Sequence, residues 1–302
     1  MSHVVRVFIQ SYAKLNFTLE VIGKRSDGYH ELVSVMQTIS LHDTIALTRD
    51  DSALICLSCD APDLASETNL ALRAAKALAE AFPRQSHGVS IELHKEIPSQ
   101  AGLGGGSANA ATVFAVLNRL WRLHLNDQQL MAFGATLGSD VPFLMRGGTA
   151  LIRGRGEDVS QLPDADPLWF VLARPTRGFS TAEVFTSLRP TEYSGGGVSD
   201  RLSQSISAGE PLVPELFVND LEKAAFRLYP EASAIASAVH AAGAPVVRMS
   251  GSGSTFFAPF RELAEAAHIC QTLRNKQVSC RLAHSVSASH IESGLAVVSQ
   301  SN

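Results

Sequence analysis

The chain has 302 residues, 45% hydrophobic and 18% charged, with a formal net charge of -4; this is globular composition, and the length suggests roughly two domains of about 150 residues. The lack of a basic surplus argues against nucleic acid or an anionic membrane surface as partner. No apolar run approaches the roughly 18 residues of a membrane span, and the opening stretch MSHVVRVFIQSYAKLN has neither an apolar h-region nor a small-residue cleavage site, so a cytoplasmic protein is expected.

Residues 4–22 alternate with period two: the odd positions are mostly apolar, and Arg6, Gln10, Lys14, Asn16, Thr18 and Glu20 occupy even ones. The pattern predicts a half-buried strand, bent near Ser11, with Lys14 and Asn16 on the face the core does not use. KRSDGYHEL (24–32) reads as a turn centred on Asp27-Gly28. Strand-like sequence runs on to about Arg49 and again over 53–58. Cys56 and Cys59 have the spacing of half a zinc site, but in a strand they point to opposite faces. Cys270 and Cys280 fit no metal or redox spacing, so no metal site is expected.

Residues 68–82 predict an amphipathic helix with Thr68 as N-cap. GVSIELHKEIP (88–98) predicts a strand that delivers the chain to a glycine-rich turn. Beyond it Ala110, Val113, Phe114, Leu117, Leu120 and Trp121 recur at helical spacing, and Ala111, Ala115 and Val116 widen the apolar face; this helix should be buried on most sides. A second helix fits 127–137, stopped by Gly138, and LGSDVPFLM starts another element. Residues 147–159 read as a hairpin, 161–167 as a linker and 168–175 as a buried strand, giving an N-terminal lobe over 1–160 and a C-terminal lobe over 161–302. The polar, glycine-rich stretch 191–205 reads as a mobile loop. Helices fit 219–228, 230–242 and 261–274; 244–260 reads as strand, Gly-Ser turn, strand; LAVV (295–298) reads as a last strand. Strands occur in groups with helices between them, which favours an α+β fold.

The stretch IPSQAGLGGGSANAA raises the sharpest question. Glycine in a helix costs about 1 kcal/mol relative to alanine, yet Gly102, Gly104, Gly105 and Gly106 stand at the mouth of one. Either this is a tight strand-to-helix turn, or the backbone amides and the helix N-terminus form a cradle for phosphate. The spacing is neither G-x-x-x-x-G-K-[ST] nor a good dinucleotide fingerprint. Asp140, followed by Pro142, is either an N-cap or a carboxylate held in a turn to accept a proton. Taken singly, Lys14 could be a solvated strand lysine, Tyr29-His30 part of a turn, and SGSGS (250–254) a plain hairpin.

Taken together, the ordered set AKLN, DGYHEL, PSQAGLGGGSANAA, LGSDVPF and RMSGSG resembles the GHMP superfamily of small-molecule kinases (galactokinase, homoserine, mevalonate and phosphomevalonate kinases) over about residues 12–258. DGYHEL marks similarity to the branch whose acceptor is a cytidine diphosphate-linked methylerythritol of non-mevalonate isoprenoid synthesis. The resemblance implies a two-lobed α+β fold with the active site in the cleft between lobes. It implies that Pro98, Ser99, Gln100, Ala101, Gly102, Leu103, Gly104, Gly105, Gly106, Ser107 and Ala108 wrap the phosphates of ATP. The family often has two serines after the glycines; Ala108 stands at the second place, and backbone donors are expected to suffice.

The same resemblance makes Lys14 and Asp140 the catalytic pair, with Asp140 taking the acceptor proton and Lys14 offsetting phosphoryl charge. It implies that Asn16 contacts substrate, that Tyr29 stacks on the cytosine, that His30 bonds the polar edge of the base, and that Phe185 covers the other face near Thr181. The stretch GFSTAEVF around these two departs from the family's usual pattern. Ser250, Gly251, Ser252 and Gly253 would buttress the phosphates, and Mg²⁺ would accompany ATP. The expected activity is ATP-dependent phosphorylation of the acceptor's 2-hydroxyl. Two alternatives stay open: a sister kinase acting on homoserine, mevalonate or a sugar, and a nucleotide-binding regulator without turnover.

Overall fold

The computed structural model describes residues 5–50 and 52–300. Val4 of the expected first strand and both chain ends lie outside the described residues. Strand β1 (Val5–Asn16) alternates between buried and open positions through Tyr12, as its sequence requires. Its register then shifts between Tyr12 and Lys14, a bulge of the kind that re-aims side chains. Past it the residues from Ala13 to Asn16 are all buried. The single strand expected over 4–22 is therefore two, separated at Phe17, with β2 (Thr18–Lys24) continuing the path; the bend expected near Ser11 is the irregularity at 12–14.

Strand β3 (His30–Asp50) is the spine of the N-terminal half. One of its edges pairs with β1 and then β2. Next along the chain come β4 (Ile55–Cys59), helix α1 (Leu70–Ala81) and β5 (Gly88–His94). They are followed by α2 (Gly105–Leu120), α3 (Asp127–Leu137), α4 (Val141–Arg146), β6 (Thr149–Gly154) and β7 (Asp158–Gln161). The other edge of β3 pairs with β5 and β6. Asn69, one residue later than expected, caps α1 by accepting from the Ala71 amide at 2.9 Å, while the Thr68 hydroxyl pairs with Ser66. Helix α3 has a reciprocal capping box between Asn126 and Gln129 and ends at Gly138, as its sequence predicts.

The C-terminal half contains β8 (Trp169–Ala173), α5 (Thr181–Ser187), α6 (Gly197–Ser207), β9 (Val218–Asn219), α7 (Leu221–Leu228) and α8 (Pro230–Ala241). It closes with β10 (Arg248–Met249), β11 (Phe256–Phe260), α9 (Leu263–Asn275), β12 (Cys280–His284) and α10 (Ala288–Gln300). Four strands form one sheet in the order β10-β11-β8-β12, and β9 joins the N-terminal sheet beside β2. Two expectations are corrected. The stretch expected as a mobile loop holds α6, because the buried Glu20 carboxylate accepts the Ser199 amide at 2.6 Å and fixes the first turn. LAVV lies in α10, which packs on α2 and α4 with Leu295 buried in the first core, so an apolar run short enough for a strand is instead helical. Helix α5 and strand β12 carry too little periodicity to have been foreseen.

One core lies between the N-terminal sheet and α1 and α2, around Leu47, Leu78, Ile91, Phe114 and Leu117. A second fills the C-terminal half around Val171, Val184, Leu221 and Ile269. A third joins the halves: Leu15, Phe17, Val35 and Leu103 meet Phe170, Phe217 and Phe257. Phe17 and Phe217 stack at 4.4 Å between centroids, 8° from parallel. Since Leu103 is in this cluster, the glycine-rich turn is anchored by its one large apolar side chain. Truncation of a buried phenylalanine costs about 3–5 kcal/mol. Phe217→Ala should therefore lower unfolding stability by that order in urea titration; a loss under about 1 kcal/mol would show that the junction is not a packed core.

Candidate active site

Above the third core lies a cleft of about 1080 Å³. Its floor is the turn between β5 and α2. The carbonyls of this turn are consumed by the scaffold: Gln100 accepts from the Phe179 amide (3.3 Å), Ala101 from the Thr255 amide (3.1 Å) and Leu103 from the Lys14 amide (3.0 Å). The Gly102 carbonyl accepts from the Ser250 hydroxyl at 2.9 Å. The first backbone bond of α2 is Ala108 to Gly104 at 2.8 Å, so the amides of Gly105, Gly106 and Ser107 have no intrahelical acceptor. No side chain caps this end of the helix. Carbonyls turned back into the protein and amides turned forward make a site for an anion, reinforced by the positive end of α2.

Two glycines are required here by geometry. Gly102 has φ +73°, and a Cβ there would overlap the Ser250 carbonyl. Gly104 has φ +71°, and its Cβ would lie 3.1 Å from Cγ of Lys14. The lysine stem therefore runs directly along the turn. The Lys14 side chain is only 4% exposed; its ammonium donates to Asn16 Oδ1 at 2.6 Å and stands 3.5 Å from the Asp140 carboxylate. Asn16 is itself held, donating to Ser34 Oγ at 2.8 Å. Asp140 occupies the N-cap position of α4, but its side chain caps nothing, which leaves the carboxylate to the cleft. Buried charges need partners of this kind to be retained.

Across the cleft, Tyr29, His30 and Phe185 form an aromatic wall, with Thr181 also in the lining. The His30 and Phe185 rings are 5.3 Å apart, and Tyr193 meets His30 edge-on at 6.0 Å. Burial, with the neighbouring Lys24 charge, holds the His30 imidazole below its ordinary value, so the ring is neutral at pH 7 and has one donor and one acceptor nitrogen. Thr181 is tied to the glycine-serine loop by a 2.8 Å bond to Ser252. The cleft's side-chain charges are Lys14, Lys24, Lys95 and Arg155 against Asp63 and Asp140, a positive balance suited to polyphosphate.

Of the residues singled out from sequence, Lys14, Asn16, Tyr29, His30, Asp140, Thr181 and Phe185 all line this cleft, as do residues 98–107 with Gly251 and Ser252. Ala108 is packed in the core beneath. Ser250 and Gly253 sit behind the floor, where Gly253 packs against Phe179. Sequence reasoning did not single out Tyr193, Arg155, Lys95 or the recess formed by residues 63–70. Lys95 is ion-paired to buried Asp43, which also accepts from the amides of Glu96 and Ile97 and from Asn109. The partially charged sequence around these residues carries no motif that would have revealed them. Among the described residues no group of three or more His, Cys, Asp or Glu is placed to hold a metal, and no helix is long and apolar enough to cross a membrane.

Comparison with known proteins agrees with this geometry. The family model for the GHMP kinases N terminal domain matches residues 69–148, and that for the GHMP kinases C terminal domain matches residues 202–279. The architecture and the site thus define a small-molecule kinase. Proteins described as 4-diphosphocytidyl-2-C-methyl-D-erythritol kinase match from Brevibacillus brevis (38% identity over 89% of this chain and 93% of the relative) and Geobacillus kaustophilus (42% over 84% and 88%). A crystal structure of 4-(cytidine 5'-diphospho)-2C-methyl-D-erythritol kinase superposes with TM-score 0.79 at 33% identity, covering 92% of this chain and 99% of that one. The mevalonate kinase of Methanococcus jannaschii, at 14% identity and TM-score 0.68 over 93% and 99%, shares the fold. The chain belongs to the GHMP kinases, in the family of these 4-diphosphocytidyl-2-C-methyl-D-erythritol kinase relatives.

Two outcomes follow from the geometry. Gly102→Ala places a methyl group on the Ser250 carbonyl at a backbone angle alanine resists, a strain of about 1–3 kcal/mol. It should lower Tm and weaken nucleotide binding together, and a variant with both unchanged would show that the turn is not so constrained. For His30, the folded state keeps the ring neutral, so its stability penalty is absent above the ordinary value of 6.5 and grows as pH falls below it. The Tm difference between the parent and His30→Gln should be constant at higher pH and shift in favour of the variant on acidification; a difference independent of pH would contradict it.

Proposed function

We propose that the chain transfers the γ-phosphoryl group of ATP to the 2-hydroxyl of 4-diphosphocytidyl-2-C-methyl-D-erythritol, in isoprenoid precursor synthesis by the non-mevalonate route. The observation that carries the reading is the juxtaposition, in one cleft, of a row of free amides, a lysine–aspartate pair and an aromatic wall. The amides of residues 105–107 hold the polyphosphate. The nucleoside extends past the turn into the recess of Leu64, Ser66, Asn69 and Lys95. The acceptor's cytosine lies against Tyr29 and Phe185, with the neutral His30 bonding its edge.

The chemistry then needs little beyond placement. Asp140 accepts the hydroxyl proton as the acceptor oxygen bonds to the γ-phosphorus and the bond to the bridging oxygen breaks, releasing ADP. Lys14, 3.5 Å from Asp140, orients the carboxylate and stabilises charge on the moving phosphoryl oxygens. Asn16 holds the ammonium in place. Mg²⁺ brought with ATP would neutralise phosphate charge and would take most of its ligands from phosphate and water, with the Ser107 hydroxyl in the cleft lining as a protein oxygen to hold it. A reaction that consumes ATP suits a cytoplasmic location. Sister kinases lack a base to recognise, and a regulator has no use for the buried Lys14–Asp140 pair.

Asp140→Asn should reduce kcat by about 10²–10⁴-fold with little change in KM for ATP, measured by coupled ADP release; unimpaired turnover would remove Asp140 as the base. Tyr29→Ala should raise KM for the cytidine-bearing acceptor by roughly tenfold or more, from lost stacking of about 1–3 kcal/mol, and leave KM for ATP unchanged. An unaltered acceptor KM would favour a sister kinase whose acceptor has no base.

A further inference from the structure

Arg155, like Lys24, is a cleft cation that the mechanism above leaves without a role. It lies in the bend between β6 and β7, with its guanidinium carbon 5.1 Å from the centroid of the Tyr29 ring. Glu157 orients it, accepting from the Arg155 amide at 2.7 Å and from Nε at 3.3 Å. Its two terminal nitrogens have no hydrogen-bond partner among the described residues. The next residue, Gly156, packs so closely that a Cβ would come within 2.8 Å of Cβ of Ser139, the residue before Asp140. Arg155 therefore bridges the wall that holds the base and the turn that carries the proton acceptor.

The other cations of the cleft are paired or placed elsewhere. Lys14 is bonded to Asn16 and paired with Asp140. Lys95 is paired with Asp43 beyond the glycine-rich turn. Lys24 stands opposite His30 in the hairpin register, beside the part of the wall that meets the base. An acceptor with its cytosine on Tyr29 and its hydroxyl at Asp140 must pass its two linking phosphates between these points, and Arg155 is the charge standing there.

Resting on the function read above, we propose that Arg155 binds the diphosphate bridge of the acceptor and makes the cleft selective for diphosphate-linked over unphosphorylated cytidine compounds. A guanidinium suits this double placement. Its central carbon stands over the Tyr29 ring, and a guanidinium edge can present two parallel N–H donors to phosphate oxygens. Glu157 fixes the fork through Nε and leaves the terminal nitrogens free.

The test compares Arg155→Met, which keeps an apolar stem over Tyr29, and Arg155→Lys, which keeps charge without the fork, with the parent enzyme. Calorimetry with CDP and with cytidine is run beside steady-state kinetics on the diphosphate-linked acceptor. Hydrogen bonds to charged groups contribute about 1.5–3 kcal/mol, or roughly ten- to hundredfold in affinity. Arg155→Met should weaken CDP by that factor, leave cytidine within about twofold, and raise KM for the acceptor with KM for ATP unchanged; Arg155→Lys should fall between. Equal losses for CDP and cytidine would reduce Arg155 to a support for Tyr29, and unchanged CDP affinity would remove it from the site; either overturns the proposal. Turnover by the parent enzyme separates the two readings. If the parent phosphorylates the acceptor while Arg155→Met binds CDP as tightly, only the Arg155 assignment fails. If the parent shows no turnover, the function fails, and the CDP-against-cytidine comparison still decides the Arg155 assignment.

Discussion

A buried ammonium has to be held, and the way Lys14 is held organises the site. Its charge has left water almost completely, so it needs a carboxylate and a hydrogen-bond acceptor at close range. Asn16, two residues on along the same strand, supplies the acceptor. Asp140, at the mouth of α4, supplies the carboxylate. The backbone of Lys14 in turn binds the carbonyl of Leu103, and its stem closes the space over Gly104. One side chain thus fixes the distance between the first strand, the glycine-rich turn and the Asp140 carboxylate.

The turn is fixed from the other side by the C-terminal half. Its carbonyls bind Phe179, Ser250 and Thr255, and Leu103 is packed beneath in the core that joins the halves. The anion site is consequently assembled from both halves, though its free amides belong to one. Phosphoryl transfer depends chiefly on placement and on charge already oriented toward the reacting atoms. A turn tied down on both flanks supplies that without reorganising. The bond between Thr181 and Ser252 carries the same rigidity across to the aromatic wall.

Much of this was legible in the sequence because the local signals are strong. Alternation located β1, Gly138 marked the end of α3, and the apolar crowding of α2 forecast its burial. The glycine cluster and the order of the motifs pointed to the cleft residues, which lie far apart along the chain. Other features depend on contacts that no local pattern encodes. The bulge at 12–14 is set by pairing with β3. The helix within 191–205 exists because a buried glutamate receives its first turn. The helix holding LAVV packs on α2 and α4 and buries Leu295. Arg155 was passed over because an arginine in a glycine-punctuated hairpin reads as a solvated residue; its place over Tyr29 is purely tertiary.

The central claim is that the free amides at the start of α2 hold a polyphosphate facing the Lys14–Asp140 pair. It is tested most directly by a crystal structure with a non-hydrolysable ATP analogue and the cytidine diphosphate-linked acceptor bound together. The account predicts the β- and γ-phosphates on the amides of residues 105–107, with the acceptor's 2-hydroxyl between Asp140 and the γ-phosphorus. A triphosphate bound away from these amides, or an acceptor hydroxyl remote from Asp140, would contradict it.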